Sequence, residues 1–322
     1  PDQNRTLLNG AAVASADWFV LDNPSRAFNY TLLPSTIVSS LEVYKSPQAD
    51  IQEGSLGGTV MLRTRRPLDM DANSGVVQVQ GMYSETSEEW DPNVSALYSW
   101  KNDAETLGFN ASLTKQDRTL LREGQEILGF QQQDFGAGNQ WTPRAIGDAY
   151  FEQERERETI LLTGQWRPTD SGEFTLTYLD SDLDANNTNY NRYEWFNGQA
   201  GGGTIDPATA RYVGSGVVAG EVKDNYSEYY VIDRVSYSET ESVDLQYTHN
   251  FETWSMDLRY GHTEAEGGTE SDRQYGFDRF LDRSTFNGLS HTPYYEGQVE
   301  SDEQLVTRGL GWMMEHLRLL VD

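Results

Sequence analysis

From Ser74 onward the chain alternates apolar and polar side chains with a period of two. Segment 75–83 sets Val77, Val79 and Tyr83 on one face and Gln78 and Gln80 on the other. Segment 93–101 opposes Val94, Ala96, Tyr98 and Trp100 to Asn93, Ser95, Ser99 and Lys101. Segment 107–115 opposes Leu107, Phe109, Ala111 and Leu113 to Asn110, Ser112 and Thr114. The pattern returns at 159–167 (Ile160, Leu162, Trp166), 173–180 (Phe174, Leu176, Tyr178), 243–251 (Val243, Leu245, Tyr247, Phe251) and 254–262 (Trp254, Met256, Leu258, Tyr260). Alternation of this kind predicts β-strands with one apolar face. Roughly 9–11 residues is the length a tilted strand needs to cross a bilayer.

The connections alternate in length. Those at 102–106, 168–172 and 252–253 are short; those at 84–92, 118–158 and 181–242 are longer, the last two long and polar, and read as loops. Short turns at one end and long loops at the other favour an outer-membrane barrel over a soluble sandwich. Trp100, Trp166, Phe174, Phe251 and Trp254 all fall on the apolar face beside a short turn. An interfacial aromatic girdle belongs there; the competing reading is that they are core aromatics of a sandwich.

Before Ser74 the pattern differs. Residues 6–10 read as a short strand and turn, 25–33 as a short helix or turn, and Pro34-Ser35 as the start of a brief helix through Ile37 and Val38. Residues 39–69 read as two short strands, the first with Leu41, Val43 and Tyr44 and the second over 59–64. Gly54, Gly57 and Gly58 allow a tight turn between them.

At 322 residues the chain holds one large or two ordinary domains. Its 24 Lys plus Arg stand against 51 Asp plus Glu, a formal charge of -27, which repels phosphate backbones and argues against nucleic acid as a partner. With no cysteine there is neither a disulfide framework nor a thiolate metal site. His249, His262, His291 and His316 lack ligand spacing, and no nucleophile–base set is apparent. No enzyme activity, metal or cofactor is expected. Residues 180–186 begin like a calcium loop, but Ala185 replaces the required Gly. Residues 152–158 read as an exposed charged run.

The stretch Glu42-Val43-Tyr44-Lys45-Ser46-Pro47, then Glu53-Gly54, Gly57-Gly58-Thr59-Val60 and Leu62-Arg63-Thr64-Arg65-Arg66-Pro67, resembles the end of the plug domain of TonB-dependent outer-membrane receptors. The resemblance implies a mainly β chain in three parts. Residues 1–69 would be the C-terminal part of a plug and 70–308 the first part of an antiparallel transmembrane β-barrel. Residues 309–322 form an atypical tail, where Met313, Met314, Leu317, Leu320 and Val321 have helix-like spacing. Barrels of this kind have about 22 strands around a plugged lumen. Seven or eight are expected here, an eighth starting near Val299, so the chain reads as a fragment, opening at Pro1 without a signal peptide or TonB box.

The resemblance also implies a place in the bacterial outer membrane, in contact with lipid and lipopolysaccharide. It implies TonB as a partner, through the box missing here, and active import of an extracellular small ligand driven by the inner-membrane proton gradient. Arg63, Arg65 and Arg66 are expected either to face acidic groups on the barrel wall or to be solvated charge at the domain junction. Among aromatics of the long connections, Trp141, Tyr190, Tyr193, Trp195 and Phe196 are the ligand-binding candidates, with Tyr150, Tyr229 and Tyr230 nearby in sequence. Aromatic faces beside Asn and Asp suit sugar rings. Carbohydrate is therefore the expected cargo and a ferric siderophore the alternative. A passive outer-membrane channel and a β-rich adhesin are the readings outside the family.

Overall fold

The computed structural model describes residues 4–18, 28–46, 48, 49, 51, 54–134, 138–196 and 203–286, apart from the side chains of residues 31 and 279–286. Pro47 and Glu53, the strand expected from Val299 and the 309–322 tail lie outside the described residues. The chain is mainly β and divides into two compact units. The first comprises the described parts of Pro1–Leu121, Glu152–Thr188 and Asp233–Arg273; the second those of Arg122–Phe151, Asn189–Ile232 and Gln274–Asp322. Among the described residues no helix is long and apolar enough to cross a membrane.

The first unit begins with a small sheet of β1 (Asn4–Leu8), β2 (Val38–Tyr44) and β3 (Gly58–Thr64) in the order β1-β3-β2. β1 runs parallel to β3 and β2 antiparallel to it. Single 3-10 turns stand at Tyr30–Leu32, where a short helix or turn was expected, and at Ser35–Ile37, where a brief helix was expected. Gly58 opens β3 at φ +135°, and a Cβ there would lie 3.0 Å from the Tyr44 carbonyl oxygen, so the turn requires glycine.

A 3-10 turn at Pro67–Asp69 leads into β4 (Ser74–Tyr83), β5 (Trp90–Lys101) and β6 (Leu107–Ile127). After the hairpin of β7 (Phe130–Asp134) and β8 (Asn139–Pro143) come β9 (Ala145–Thr169) and β10 (Gly172–Trp195). The short β11 (Thr204–Ile205) and β12 (Arg211–Val213) precede β13 (Gly216–Asn250) and β14 (Ser255–Phe286). The large sheet has the order β4-β5-β6-β9-β10-β13, with β14 also on β13. The described strands form no closed barrel, and β4 stands at one end of the order.

All seven alternating segments fall on strands, in β4, β5, β6, β9, β10, β13 and β14, with only Phe251 and Trp254 just outside the ends of β13 and β14. The long connections differ from expectation. Much of 118–158 and 181–242 continues as strand, β6 running on to Ile127, β9 starting at Ala145, β10 reaching Trp195 and β13 starting at Gly216. Polar and charged side chains appear on both faces of these extensions, and apolar ones such as Leu183, Ala185, Val217 and Val222 are only interspersed among them, so the strand signal is diluted while lateral hydrogen bonding persists. Residues 152–158 show this. They are not a uniformly exposed run, because Gln153 is buried and Arg155 and Arg157 are half-buried, while Glu152, Glu154, Glu156 and Glu158 face out.

In the first unit the usual partition of side chains is reversed. Ser99, Ser112, Thr163 and Ser236 of the large sheet are at most 1% exposed. Val77, Leu113, Leu176 and Leu258 are 76%, 52%, 49% and 55% exposed. The polar face is covered by the N-terminal residues. Leu8, Ile37 and Leu62 pack with Leu161 of β9 and Leu179 of β10, and Leu32 packs with Leu183 and Ala185. The second unit has its own core of Phe196, Ile205, Val217 and Val222, flanked by Ile127, Ile146 and Ala210.

Leu62→Ala should cost about 2–5 kcal/mol through the cavity it leaves. Leu113→Ala, on the exposed face, should shift the denaturation midpoint far less. Equal shifts would contradict the core assignment.

Candidate functional site

Each unit carries a candidate, and the first is the junction after the small sheet. Arg66 Nη1 lies 3.8 Å from Glu173 Oε1 on β10. Glu173 also accepts hydrogen bonds from Arg167 Nη2 (2.6 Å) and Gln165 Nε2 (2.9 Å). Gln165 Oε1 in turn accepts from the Leu68 backbone N–H at 2.9 Å, and Asn110 Nδ2 donates to the Arg65 carbonyl at 2.8 Å. Gly108 lets the turn approach β6, for a Cβ there would meet Leu68 Cδ2 at 2.9 Å and Pro67 Cβ at 3.1 Å.

Side chains of the large sheet hold more N-terminal backbone in the same way. Ser181 Oγ donates to the Leu32 carbonyl (2.6 Å), Ser238 Oγ to that of Ala16 (2.9 Å) and Arg259 Nη2 to that of Asn9 (2.5 Å). Thr263 Oγ1 accepts from the Ala14 N–H at 3.0 Å.

Of the three arginines expected to face acids across the junction, Arg66 does so. Arg63 instead pairs at 2.9 Å with Glu42 inside the small sheet, because the register that sets Arg63 opposite Ser40 and Glu42 opposite Met61 makes the two diagonal neighbours on β2 and β3. Tyr44 donates to the same carboxylate at 2.6 Å. Arg63 and Tyr44 hold the Glu42 carboxyl below its ordinary range, and Glu42 raises the Tyr44 phenol. Arg65 contributes its carbonyl, while Val43, Lys45, Ser46, Gly54 and Gly57 are exposed.

Beside the short turns an aromatic row runs along the exposed apolar face. Trp166 stacks on Phe174 (5.4 Å between centroids), Phe174 meets Tyr247 (4.4 Å), and Phe251 stacks on Trp254 (3.9 Å). His249 links Tyr247 to Phe251. Trp100 joins Leu107, Phe109, Trp166, Phe174 and Leu245 around a shallow apolar groove of about 340 Å³.

The second unit gathers some of the ligand candidates and separates others. Tyr193 meets Trp195 (6.1 Å) and Tyr230 (6.2 Å). Trp195 Nε1 and the Tyr230 hydroxyl both donate to Glu228, at 2.6 and 2.9 Å, and the Tyr193 hydroxyl donates to Glu126 at 3.3 Å. Tyr190 pairs with Tyr150 at 5.8 Å. Trp141 lies on β8, half exposed, and Phe196 is a core residue.

No known family model matches the chain, and no curated protein matches it.

A second cluster went unseen in the sequence. Arg192 packs over the Tyr229 ring at 5.8 Å, pairs with Glu194, and approaches Asp148 at 3.9 Å. Asn225 and Ser227 donate to Glu194. The available signal was the strand-like run Tyr190-Asn-Arg-Tyr-Glu-Trp195, whose alternate positions fall on opposite faces of β10. Burial pushes the Asp148 carboxyl above its ordinary value, against the opposing pull of Arg192. Burial and the Glu126 charge push Tyr193 up to about 12.

Two outcomes follow from this geometry. Glu173→Ala should loosen the Pro67 turn and speed tryptic cleavage after Arg65 in the folded protein; unchanged cleavage would show that the pairs do not hold it. For Asp148 a raised folded pKa means that the folded state binds the extra proton. Its contribution is therefore complete below the ordinary value of 3.8 and lost as pH rises through the raised pKa. Asp148→Asn should flatten that part of the pH profile of the melting temperature.

Proposed function

We propose that this chain is part of a TonB-dependent receptor that imports carbohydrate across the bacterial outer membrane. The observation that supports this most is the reversed partition in the first unit, with buried serines and threonines on one face and exposed Val, Leu and Trp on the other. In water so much exposed apolar surface is a liability. Against lipid it is the favourable arrangement, and the aromatic row near Trp166 and Trp254 then takes the interfacial position.

On this reading the small sheet is the plug and the polar face lines the lumen that it fills. The contacts at the junction are mostly hydrogen bonds and ion pairs, of the kind that can be exchanged for water when TonB pulls on the plug. An open strand edge is untenable in lipid, so further strands would complete the barrel beyond β4 and β14. The grouping of Tyr193, Trp195 and Tyr230 supports a sugar, whose ring carbons stack on aromatic faces.

Leu113→Arg and Leu176→Arg test the membrane assignment. At mid-bilayer each should cost about 2–4 kcal/mol and deplete folded receptor from the outer membrane. A soluble β-protein would accept arginine at positions already exposed, and normal expression without membrane association would refute the reading. For transport, uptake of a labelled saccharide should vanish when TonB is deleted or the proton gradient is collapsed. Persistent uptake would indicate a passive channel.

A further inference from the structure

The second unit bears more than a set of aromatic rings. Tyr193, Trp195 and Tyr230 are half-buried, so their faces are partly open. Their polar tips are already engaged, Trp195 and Tyr230 by Glu228 and Tyr193 by Glu126. The rings also rest on positions without side chains. A Cβ on Gly147 would lie 2.6 Å from Tyr193 Cδ1, and one on Gly276 would lie 3.2 Å from Tyr230 Cε1. The surface is therefore pre-arranged, with ring faces as its free contacts and carboxylates at its margins.

Charge around these rings is mostly negative. Asp278 adds to the field of Glu228 at Tyr230 and Tyr226, against Arg122 beside Tyr193. We infer that Glu126 and Glu228 are specificity-determining residues, admitting neutral glycans to the Tyr193–Trp195–Tyr230 surface and excluding acidic ones. The inference rests on the carbohydrate reading above. A neutral pyranose offers its C–H face to the rings at no electrostatic cost. A uronate brings its carboxylate towards Glu126 and Glu228, and like charges brought together at an interface are strongly disfavoured. Because Glu228 also fixes the Trp195 and Tyr230 rings, its charge and its positioning role must be separated by a substitution that keeps an acceptor oxygen.

The experiment uses the full-length receptor in detergent with two hexasaccharide probes, neutral maltohexaose and anionic hexagalacturonate, read by tryptophan fluorescence and calorimetry. The expected result is roughly tenfold or greater preference for the neutral probe. That preference should narrow in Glu126→Gln/Glu228→Gln and, without any mutation, on raising the salt concentration. Gly147→Ala, which displaces Tyr193, should weaken binding of the neutral probe while leaving the salt dependence of the preference unchanged. Equal binding of both probes, or a preference indifferent to both salt and the Gln substitutions, overturns the inference and leaves the carbohydrate reading standing. Binding of neither probe overturns the carbohydrate reading, and this inference with it.

Discussion

Polar groups on the buried face of the large sheet meet the N-terminal backbone at several points, although Ser99, Ser112 and Thr163 on that face make no side-chain hydrogen bond. Ser181, Ser238, Asn110, Gln165 and Arg259 all bind main-chain groups of residues 9–68. The dependence is mutual. The described residues between β1 and β2 contain only two 3-10 turns, so few of their carbonyls and amides are satisfied by regular structure of their own. Removing either partner would leave buried polar groups orphaned, at about 1–3 kcal/mol each. Apolar packing contributes in two patches, where Leu161 and Leu179 meet Leu8, Ile37 and Leu62 and where Leu183 and Ala185 meet Leu32.

This dependence explains why the junction is built as it is. A turn made by Pro67 and Leu68 must come close to β6, and Gly108 removes the side chain that would stop it. Glu173 is shared by two arginines and a glutamine, so its charge stays compensated. Such a network holds position through geometry more than through net energy, since desolvation offsets much of the attraction.

Outside the apolar segments the strands persist on a different basis. Lys115 bridges Glu156 and Glu158, and Arg155 lies over Trp18 at 5.4 Å. The ladder hydrogen bonds do not depend on side-chain polarity, and cross-strand charge pairs replace apolar contacts. In the second unit, Arg192 with Glu194 and the rings around Glu228 follow the same rule, with Phe196 and Val217 supplying a local core.

The period-two pattern alone determined seven strands, their apolar faces and the short turns between them, because alternation is a local property of extended backbone. It also placed β2 and β3 to within a residue or two, since β-branched residues and glycine announce a hairpin-like unit. It could not locate the more polar halves of β6, β9, β10 and β13, where charged and polar residues appear on both faces and strand resembles loop. Nor could it choose partners. That Arg63 meets Glu42 while Arg66 meets Glu173, that Phe196 turns into a core, and that Tyr193, Trp195 and Tyr230 share one surface were decided by pairing between residues tens of positions apart. Register and packing set those meetings, and no local spacing encodes them.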